Sequence, residues 1–263
     1  MQKLIHNISH SYAYKILIGL LCLLCFDTAC YAHEPSFNIL VTNDDGISTM
    51  EIRSLVKGLK DVGQVYVVAP DRNKSGTGNS VTPDWSELKA DPIVRDGKLV
   101  GYAIIDGFPA DTVRLAIKKL YANIKFDLVV SGINQGLNHG KLRYKSGTVG
   151  AAVEALDQGI PAIAISQDRQ GESQTTRVAV AFAKDVVRQV KSHGLPKGVL
   201  LNINVPKGVI KGIVLAPRKT SFQTEKKALQ EGCITLSPLK RDLDDDNSLD
   251  HFDTWDLGLK RYY

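Results

Sequence analysis

The fold is decided by the stretch Phe37-Asn38-Ile39-Leu40-Val41-Thr42-Asn43-Asp44-Asp45-Gly46. Its apolar first part predicts a buried strand, and the apolar spacing of residues 49–61 predicts a helix directly afterwards. Two adjacent carboxylates, Asp44 and Asp45, therefore stand where an open α/β sheet places its ligand site. Because neighbouring carboxylates repel each other, such a pair indicates a divalent cation between them. A strand-to-helix turn, in which an aspartate caps the helix, is the alternative that Asp-Asp-Gly alone leaves open.

Strand-like and helix-like segments alternate along the rest of the chain. Short runs rich in β-branched residues predict strands at 65–68, 103–105, 128–131, 162–166 and 200–205. Stretches with apolar residues at three- and four-residue spacing begin at Thr or Asp, and they predict helices at 49–61, 111–120, 148–158 and 176–192. This alternation is typical of βαβ units. We therefore expect an α/β fold with three layers, in which helices cover both faces of a mostly parallel sheet.

The composition is typical of a single globular domain with a hydrophobic core, and it argues against a nucleic-acid-binding protein. The chain has 263 residues, 43% of them hydrophobic, so it can bury a core without help from a disulfide or a metal. Its net charge of +5 comes from interspersed residues of both signs, with no Lys/Arg stripe that could follow a phosphodiester backbone. We expect no polymeric nucleic acid among its partners.

The first 32 residues differ in composition from the rest. Lys3 and Lys15 precede an apolar run at 16–26, and small residues follow up to Ala32. This pattern is typical of a secretory signal peptide and is short for a membrane span. We predict a signal peptide at 1–32, one domain at 33–263, and an exported protein, periplasmic or secreted, with no stable membrane insertion after cleavage. An uncleaved anchor or a buried N-terminal helix is the alternative.

Cysteine usage agrees with a fold that does not depend on disulfides. Cys22, Cys25 and Cys30 would leave with the signal peptide, so Cys233 alone would remain. A single cysteine cannot form an internal disulfide. Its apolar surroundings predict a buried strand position for Cys233 rather than a catalytic role.

Polar, glycine-rich loops follow the predicted strands, and two of them contain Ser75 and Asn134. Because the carboxyl ends of parallel strands share one sheet edge, these loops can meet Asp44 and Asp45. Carboxylate, hydroxyl and amide oxygens suit Mg²⁺ or Mn²⁺, whereas the sequence lacks the thiolate and imidazole pattern of structural zinc. The sequence thus offers Asp44, Asp45, Ser75 and Asn134 as ligands of a hard metal ion, with ordinary turn roles as the alternative for the last two.

An anion-binding site is indicated at the start of a predicted helix. The helix follows from the run Ser146-Gly147-Thr148-Val149-Gly150-Ala151-Ala152. Free N–H groups at the helix start, together with the Ser146 and Thr148 hydroxyls, can hold a phosphate at the positive end of the helix dipole. A plain N-cap by either hydroxyl is the alternative.

Five motifs together resemble the SurE family in order and spacing. They are Asn43-Asp44-Asp45-Gly46, Ala69-Pro70-Asp71-Arg72-Asn73-Lys74-Ser75-Gly76, Asp106-Gly107-Phe108-Pro109-Ala110-Asp111, Ser131-Gly132-Ile133-Asn134-Gln135-Gly136-Leu137-Asn138-His139-Gly140 and the run from Ser146 to Ala152. The resemblance implies a Rossmann-like sheet and a phosphomonoesterase that hydrolyses nucleoside 5′- or 3′-monophosphates. It also implies one divalent metal ion per subunit, Mg²⁺ or Mn²⁺, which Ca²⁺ can replace in crystals.

The resemblance assigns roles to individual residues. The metal ligands fall on Asp44, Asp45, Ser75 and Asn134. The phosphate pocket falls on Asn43, Asn79, Asn138, Ser146, Gly147 and Thr148. In the mechanism that we expect, the metal activates a water for in-line attack on phosphorus, Asp44 or Asp45 orients that water, and Asn and Ser donors offset charge on the equatorial oxygens.

The segment between Asn138 and Ser146 departs from the family's pattern. The family usually carries acidic residues there and a Tyr directly before Ser-Gly, whereas this chain has His139-Gly140-Lys141-Leu142-Arg143-Tyr144-Lys145. Lys141, Arg143 and Lys145 either attract anionic substrates or form a solvated loop face. His139 is either a pH-sensitive acid or an exposed loop residue.

A second departure follows Arg218. Family members insert a long hairpin there that exchanges between subunits, whereas only residues 219–223 stand in its place here. We therefore expect a shortened C-terminal arm, and a homodimer or monomer rather than the family's tetramer. Because the arm also shapes one side of the family's cleft, we expect a broader substrate range.

Two other functions are compatible with the sequence. One is a broad-specificity exported acid phosphatase, since the same centre can act on any phosphomonoester. The other is an exported protein that binds nucleotides without hydrolysing them. A haloacid-dehalogenase-like phosphatase needs an Asp-x-Asp nucleophile, and Asp44-Asp45-Gly46 lacks that spacing.

Overall fold

A mostly parallel sheet of ten strands runs through the part of the chain that this computed structural model describes, residues 36–169, 173–216, 222–243 and 249–261. The strands are β1 Asn38–Thr42, β2 Gln64–Pro70, β3 Ala90–Arg95, β4 Lys98–Ile104, β5 Leu128–Gln135, β6 Ala162–Gln167, β7 Leu200–Val205, β8 Gly212–Leu215, β9 Cys233–Leu239 and β10 Leu259–Arg261. Their order across the sheet is β10-β8-β9-β7-β6-β5-β1-β2-β4-β3. The six strands from β7 to β4 are mutually parallel, while β3 is antiparallel to β4 and β9 to β7.

Helices cover both faces of this sheet. They are α1 Met50–Leu59, α2 Pro109–Leu115, which continues as a π-helical turn at Ala116–Leu120, α3 Gly147–Asp157, α4 Ser173–His193 and α5 Phe222–Gln230. Three short 3₁₀ turns span Trp85–Glu87, Gly140–Lys145 and Leu249–Thr254. The predicted α/β fold is confirmed.

Neighbouring side chains of a strand point to opposite faces of the sheet. The side chains of β1 therefore pack alternately in the hydrophobic core on one face and on the other. Ile39 packs in the cluster that contains Leu55 of α1 and Val186 of α4. Leu40 packs in the cluster that contains residues of α2 and α3, such as Val149. Both strand residues are fully buried. The apolar run that precedes Asp44 therefore packs in the core on both faces of the sheet.

The predicted strands and helices are present, with shifted ends. The predicted strand at 103–105 is the end of the longer β4, and the predicted helix at 111–120 begins two residues earlier, at Pro109. The sequence patterns do not indicate β3, β8 or β10. β3 and β10 form the two edges of the sheet, and β3 leaves half of its residues exposed, so its apolar pattern is weak.

Some predictions concern residues outside the described ranges. The signal peptide at 1–32, with its three cysteines, lies outside them, as do residues 219–221 of the shortened arm. Cys233 begins β9 and is buried, as predicted. Among the described helices, none combines the length and the apolar composition that a bilayer crossing requires.

Candidate metal and phosphate site

The carboxyl edge of the sheet brings three loops together. β1 lies between β2 and β5, and the helices that follow β1 and β5, α1 and α3, pack on opposite faces. A crevice opens where the strand order reverses in this way, and it is the usual ligand position in such sheets. A cavity of about 210 Å³ lies there, with walls that include Asp44, Ser75, Asn134, Asn138, Lys145 and Arg169.

A larger cavity, of about 550 Å³, lies between α1 and strands β2 to β4. Its walls include Ile52, Val56 and Val100, and none of the predicted site residues lines it. We place the candidate site in the smaller cavity, because Asp44 lines it together with Ser75 and Gln135, which both contact Asp45.

Asp44 is the buried carboxylate of the pair. It is 2% exposed, and its Oδ1 accepts a hydrogen bond from Thr148 Oγ1 at 2.7 Å. Burial, followed by the neighbouring charge of Asp45, raises the pKa of the Asp44 carboxyl to about 6, although the bond from Thr148 opposes this rise. A divalent cation at this point would favour the ionised form of both carboxyls.

In the metal-free protein, we expect Asp44 to make stability depend on pH. The folded state keeps the Asp44 proton up to about pH 6, whereas the unfolded chain releases it near pH 3.8. The free energy of unfolding should therefore fall as the pH rises from about 4 to 6, by up to about 3 kcal/mol. Urea unfolding of wild type and Asp44→Asn at both ends of this window measures the effect, because the variant lacks the titrating group. Identical pH dependence in the two proteins would contradict the expectation.

Asp45 is partly buried and is held by two neighbouring loops. Its Oδ1 accepts from Asn73 Nδ2 at 2.9 Å and from Ser75 Oγ at 3.5 Å, and its Oδ2 accepts from the Gln135 N–H at 3.0 Å. Burial raises the pKa of Asp45, while the bond from Gln135 acts in the opposite direction. Asp45 thus connects the loop after β2 to the end of β5.

Asn134 completes the predicted ligand set at the end of β5. The side chain is 7% exposed, and its amide nitrogen donates to the Gly136 carbonyl, so the oxygen is the atom that a cation would use. Asn134 lines the cavity with Asp44 and Ser75, and Ser75 contacts Asp45. Among the described residues, no group of three or more His, Cys, Asp or Glu side chains is arranged so that it could hold a metal ion. The metal-binding side chains offered here are accordingly two carboxylates and two neutral oxygens.

Ser146 and Thr148 both have partners at the start of α3. Ser146 Oγ accepts from the Val149 N–H at 3.1 Å and thus caps the helix, and Ser146 also lies in the cavity wall. The Thr148 hydroxyl donates to Asp44, and the side chain is fully buried. Thr148 therefore orients a carboxylate, and its place in the phosphate pocket stays a prediction.

Two glycines let α3 approach the neighbouring loops closely. A Cβ atom added to Gly147 would lie 2.9 Å from the Cβ of Asp44, and one added to Gly150 would lie 2.1 Å from the carbonyl oxygen of Gly78. The Asn79 side chain, which is exposed, would be 3.1 Å from the same added atom on Gly150. The start of the helix therefore packs directly against the carboxylate and against the loop after β2.

The two remaining asparagines of the predicted phosphate pocket differ in position. The Asn43 amide donates to the Gly46 carbonyl at 2.9 Å and to Thr49 Oγ1 at 3.2 Å, and its oxygen accepts from the Gly46 N–H. Asn43 thus stabilises the turn that presents the carboxylates. Asn138 lines the cavity, and its side chain donates to Ser166 Oγ at 2.9 Å.

The basic run at 141–145 is divided by the fold. Arg143 is 2% exposed and pairs with Glu225, with 3.4 Å between Nη2 and Oε2. The expectation of a solvated loop face is therefore wrong for Arg143. Its side chain is not among those that line the cavity, and its attraction of anionic substrates stays a prediction. Lys145 lines the cavity, whereas Lys141 is exposed. His139 is partly buried, which lowers its pKa, so it is not the exposed histidine of one expectation.

Sequence reasoning misses Arg169. This side chain lies in the cavity wall, and its Nε donates to the Gln135 carbonyl at 3.2 Å. Its position two residues after β6, at the same sheet edge as the other loops, is the signal that could have indicated it.

Comparison with known proteins agrees with this geometry. The family model for the survival protein SurE matches residues 39–225. The 5′-nucleotidase SurE of Geobacter sulfurreducens is 36% identical over an aligned length of 257 residues, and the match covers 85% of this chain and 95% of that protein. The 5′-nucleotidase SurE of Pelobacter propionicus is 45% identical over 169 residues, which cover 64% and 66%. The SurE protein from Aquifex aeolicus has a crystal structure that matches with a TM-score of 0.67 and 32% identity, over 82% of this chain and 98% of that one. The resemblance carried by the five motifs is thus confirmed, and the chain belongs to the SurE family.

Proposed function

We propose that this chain is a divalent-metal-dependent phosphomonoesterase that releases phosphate from nucleoside 5′-monophosphates, with 3′-monophosphates as a second substrate class. Relatives that cover most of the chain bear the name 5′-nucleotidase SurE. The observation that carries the proposal is the meeting of Asp44, Ser75 and Asn134 at one cavity, where Ser75 also contacts Asp45.

The side chains fit a hard divalent cation. Mg²⁺ and Mn²⁺ prefer oxygen ligands and usually take one or two carboxylates from the protein. Asp44 and Asp45 are neighbours whose pKa values burial raises, and a cation would relieve their repulsion. We propose one Mg²⁺ or Mn²⁺ per subunit, held by Asp44, Asp45, Ser75 and Asn134.

The chain's own residues supply the rest of the chemistry. When bound, the cation would polarise the phosphoryl group and lower the pKa of an attacking water. Asp45, fixed by the Gln135 N–H, orients that water. Lys145 and Arg169 place positive charge in the cavity wall, where it offsets charge on the phosphate oxygens. The start of α3 at Ser146 adds the positive end of a helix dipole.

A broad-specificity acid phosphatase is the second candidate. Within the described residues, the walls of the 210 Å³ cavity include no aromatic side chain on which a base could stack. Leu137 and Leu142 are the apolar side chains there. This lining favours recognition of the phosphate over recognition of the base.

A substrate comparison tests the proposed function. Residues 33–263, assayed with Mg²⁺ or Mn²⁺, should release phosphate from AMP, GMP and p-nitrophenyl phosphate. A kcat/KM at least about tenfold higher for the nucleotides supports the nucleotidase, and equal values support the second candidate. Tight AMP binding in calorimetry, without any release of phosphate, would contradict both enzymatic functions and would indicate a nucleotide-binding protein instead.

Export and assembly are further parts of the proposal. Lys3, Lys15 and the apolar run at 16–26 support removal of residues 1–32 and a periplasmic or secreted enzyme. The short stretch at 219–223 supports a homodimer or monomer. N-terminal sequencing of the exported protein, expected to start after Ala32, and its mass in solution test these two points.

A further inference from the structure

A buried glutamate from a distant part of the chain, Glu225, contacts the loop at 138–146, which carries the phosphate-binding candidates Asn138 and Ser146. Glu225 belongs to α5 and is 3% exposed. Its Oε1 accepts hydrogen bonds from Asn204 Nδ2 at 3.4 Å, Thr235 Oγ1 at 3.4 Å and Ser237 Oγ at 3.2 Å. These side chains belong to β7 and β9, so one oxygen of Glu225 is anchored to the sheet.

The other oxygen of Glu225 contacts the loop. Oε2 accepts from the Gly140 N–H at 3.2 Å and from Arg143 Nη2 at 3.4 Å. The same guanidinium donates from Nε to the Gly140 carbonyl at 3.0 Å. Because both partners of Oε2 are donors and Arg143 is charged and buried, an ionised carboxylate suits this position best.

The loop held in this way forms one wall of the cavity. Asn138 precedes the 3₁₀ turn Gly140–Lys145, Ser146 follows it, and both residues line the cavity together with Lys145. Asn204, which donates to Glu225, also accepts from the Asn138 N–H at 2.7 Å. A continuous series of contacts therefore joins α5 to this wall.

We infer that Glu225 is a positioning residue for phosphate binding, an inference that rests on the proposed function. Glu225 does not line the cavity, and it acts through Gly140, Arg143 and Asn204. Loss of the charge on Oε2 leaves the buried guanidinium without this counter-charge and releases the turn from α5. Asn138, Lys145 and Ser146 then lose their fixed spacing.

Glu225→Gln tests the inference. Glutamine keeps the shape and can offer its oxygen to β7 and β9, but its NH₂ group must then face two donors. We expect the KM for AMP and the Kd for inorganic phosphate to rise about tenfold or more, with kcat and Mn²⁺ affinity changed by less than about threefold. Amide hydrogen exchange of residues 137–146 should become faster.

Glu154→Gln is the matched control. Glu154 lies on α3, outside the turn Gly140–Lys145, and it is also buried, at 4% exposure. It pairs with Arg114 through two contacts of 2.9 and 2.7 Å. Loss of this ion pair in Glu154→Gln should lower the melting temperature and leave the KM for AMP unchanged. An equal rise in KM in both variants would mean that Glu225 only stabilises the fold, and it would overturn the inference.

A second variant covers the case in which Glu225→Gln does not fold. Arg143→Lys changes the loop side of the pair and leaves α5 intact, so it should raise KM and speed up loop exchange in the same direction. Unchanged KM, phosphate affinity and loop exchange would overturn the inference while the proposed function stands. If wild type hydrolyses no phosphomonoester but the variant still weakens phosphate binding and loosens the loop, the proposed function fails and the positioning role stands.

Discussion

Asp44→Asn is expected to lower metal-dependent phosphate release by a factor of about 10³ or more, while the protein stays folded. Asparagine keeps the size of the side chain and can still accept the hydrogen bond from Thr148, so the packing at α3 is preserved. It removes a negative charge that the proposed cation needs. Steady-state assays of residues 33–263 with AMP and Mn²⁺, together with circular dichroism, measure both parts.

Asp61→Asn provides a control for this substitution. Asp61 is an exposed aspartate that pairs with Lys184 on the surface, and such pairs contribute little to stability. Its phosphate release should equal that of wild type. Full activity in Asp44→Asn would refute the assignment of the carboxylate pair.

Removal of divalent metal with a chelator is expected to abolish phosphate release without unfolding the chain. The two hydrophobic clusters on either side of the sheet form the core and do not include the candidate ligands. Addition of Mg²⁺ or Mn²⁺ should restore activity, and it should raise the melting temperature because the cation binds the folded state.

The same titration on Asp44→Asn separates binding from catalysis. If the carboxylate pair holds the cation, Mn²⁺ should raise the melting temperature of wild type and leave that of the variant almost unchanged. Persistent phosphate release by wild type that elemental analysis finds free of metal would contradict the proposed mechanism.

The central strands could be predicted because their apolar patterns are local in the sequence. The meeting of the loops could be predicted because it follows from the geometry of a parallel sheet. The apolar run before Asp44 has to be buried, and parallel strands bring their carboxyl ends to one edge, so Ser75 and Asn134 could be placed near the carboxylates. The edge strand β3 could not be predicted, since exposed strands lack a strong apolar pattern.

The fate of single charges could not be predicted from the sequence. Arg143 stands between two lysines in a basic loop, and its burial depends on Glu225, which is 82 residues away and becomes a neighbour only after α5 packs. Arg169 is missed for a related reason, because its importance comes from the cavity that it borders and from no motif of its own.

The close approach of α3 has a consequence for anyone who wishes to alter this protein by mutagenesis. At Gly147 and Gly150, even a methyl group would push the helix away from Asp44 or from the backbone of Gly78. Libraries that vary these two glycines should return mostly damaged protein. Leu142 lines the same cavity and is exposed, so it is a position where randomisation can change substrate preference while the fold is preserved.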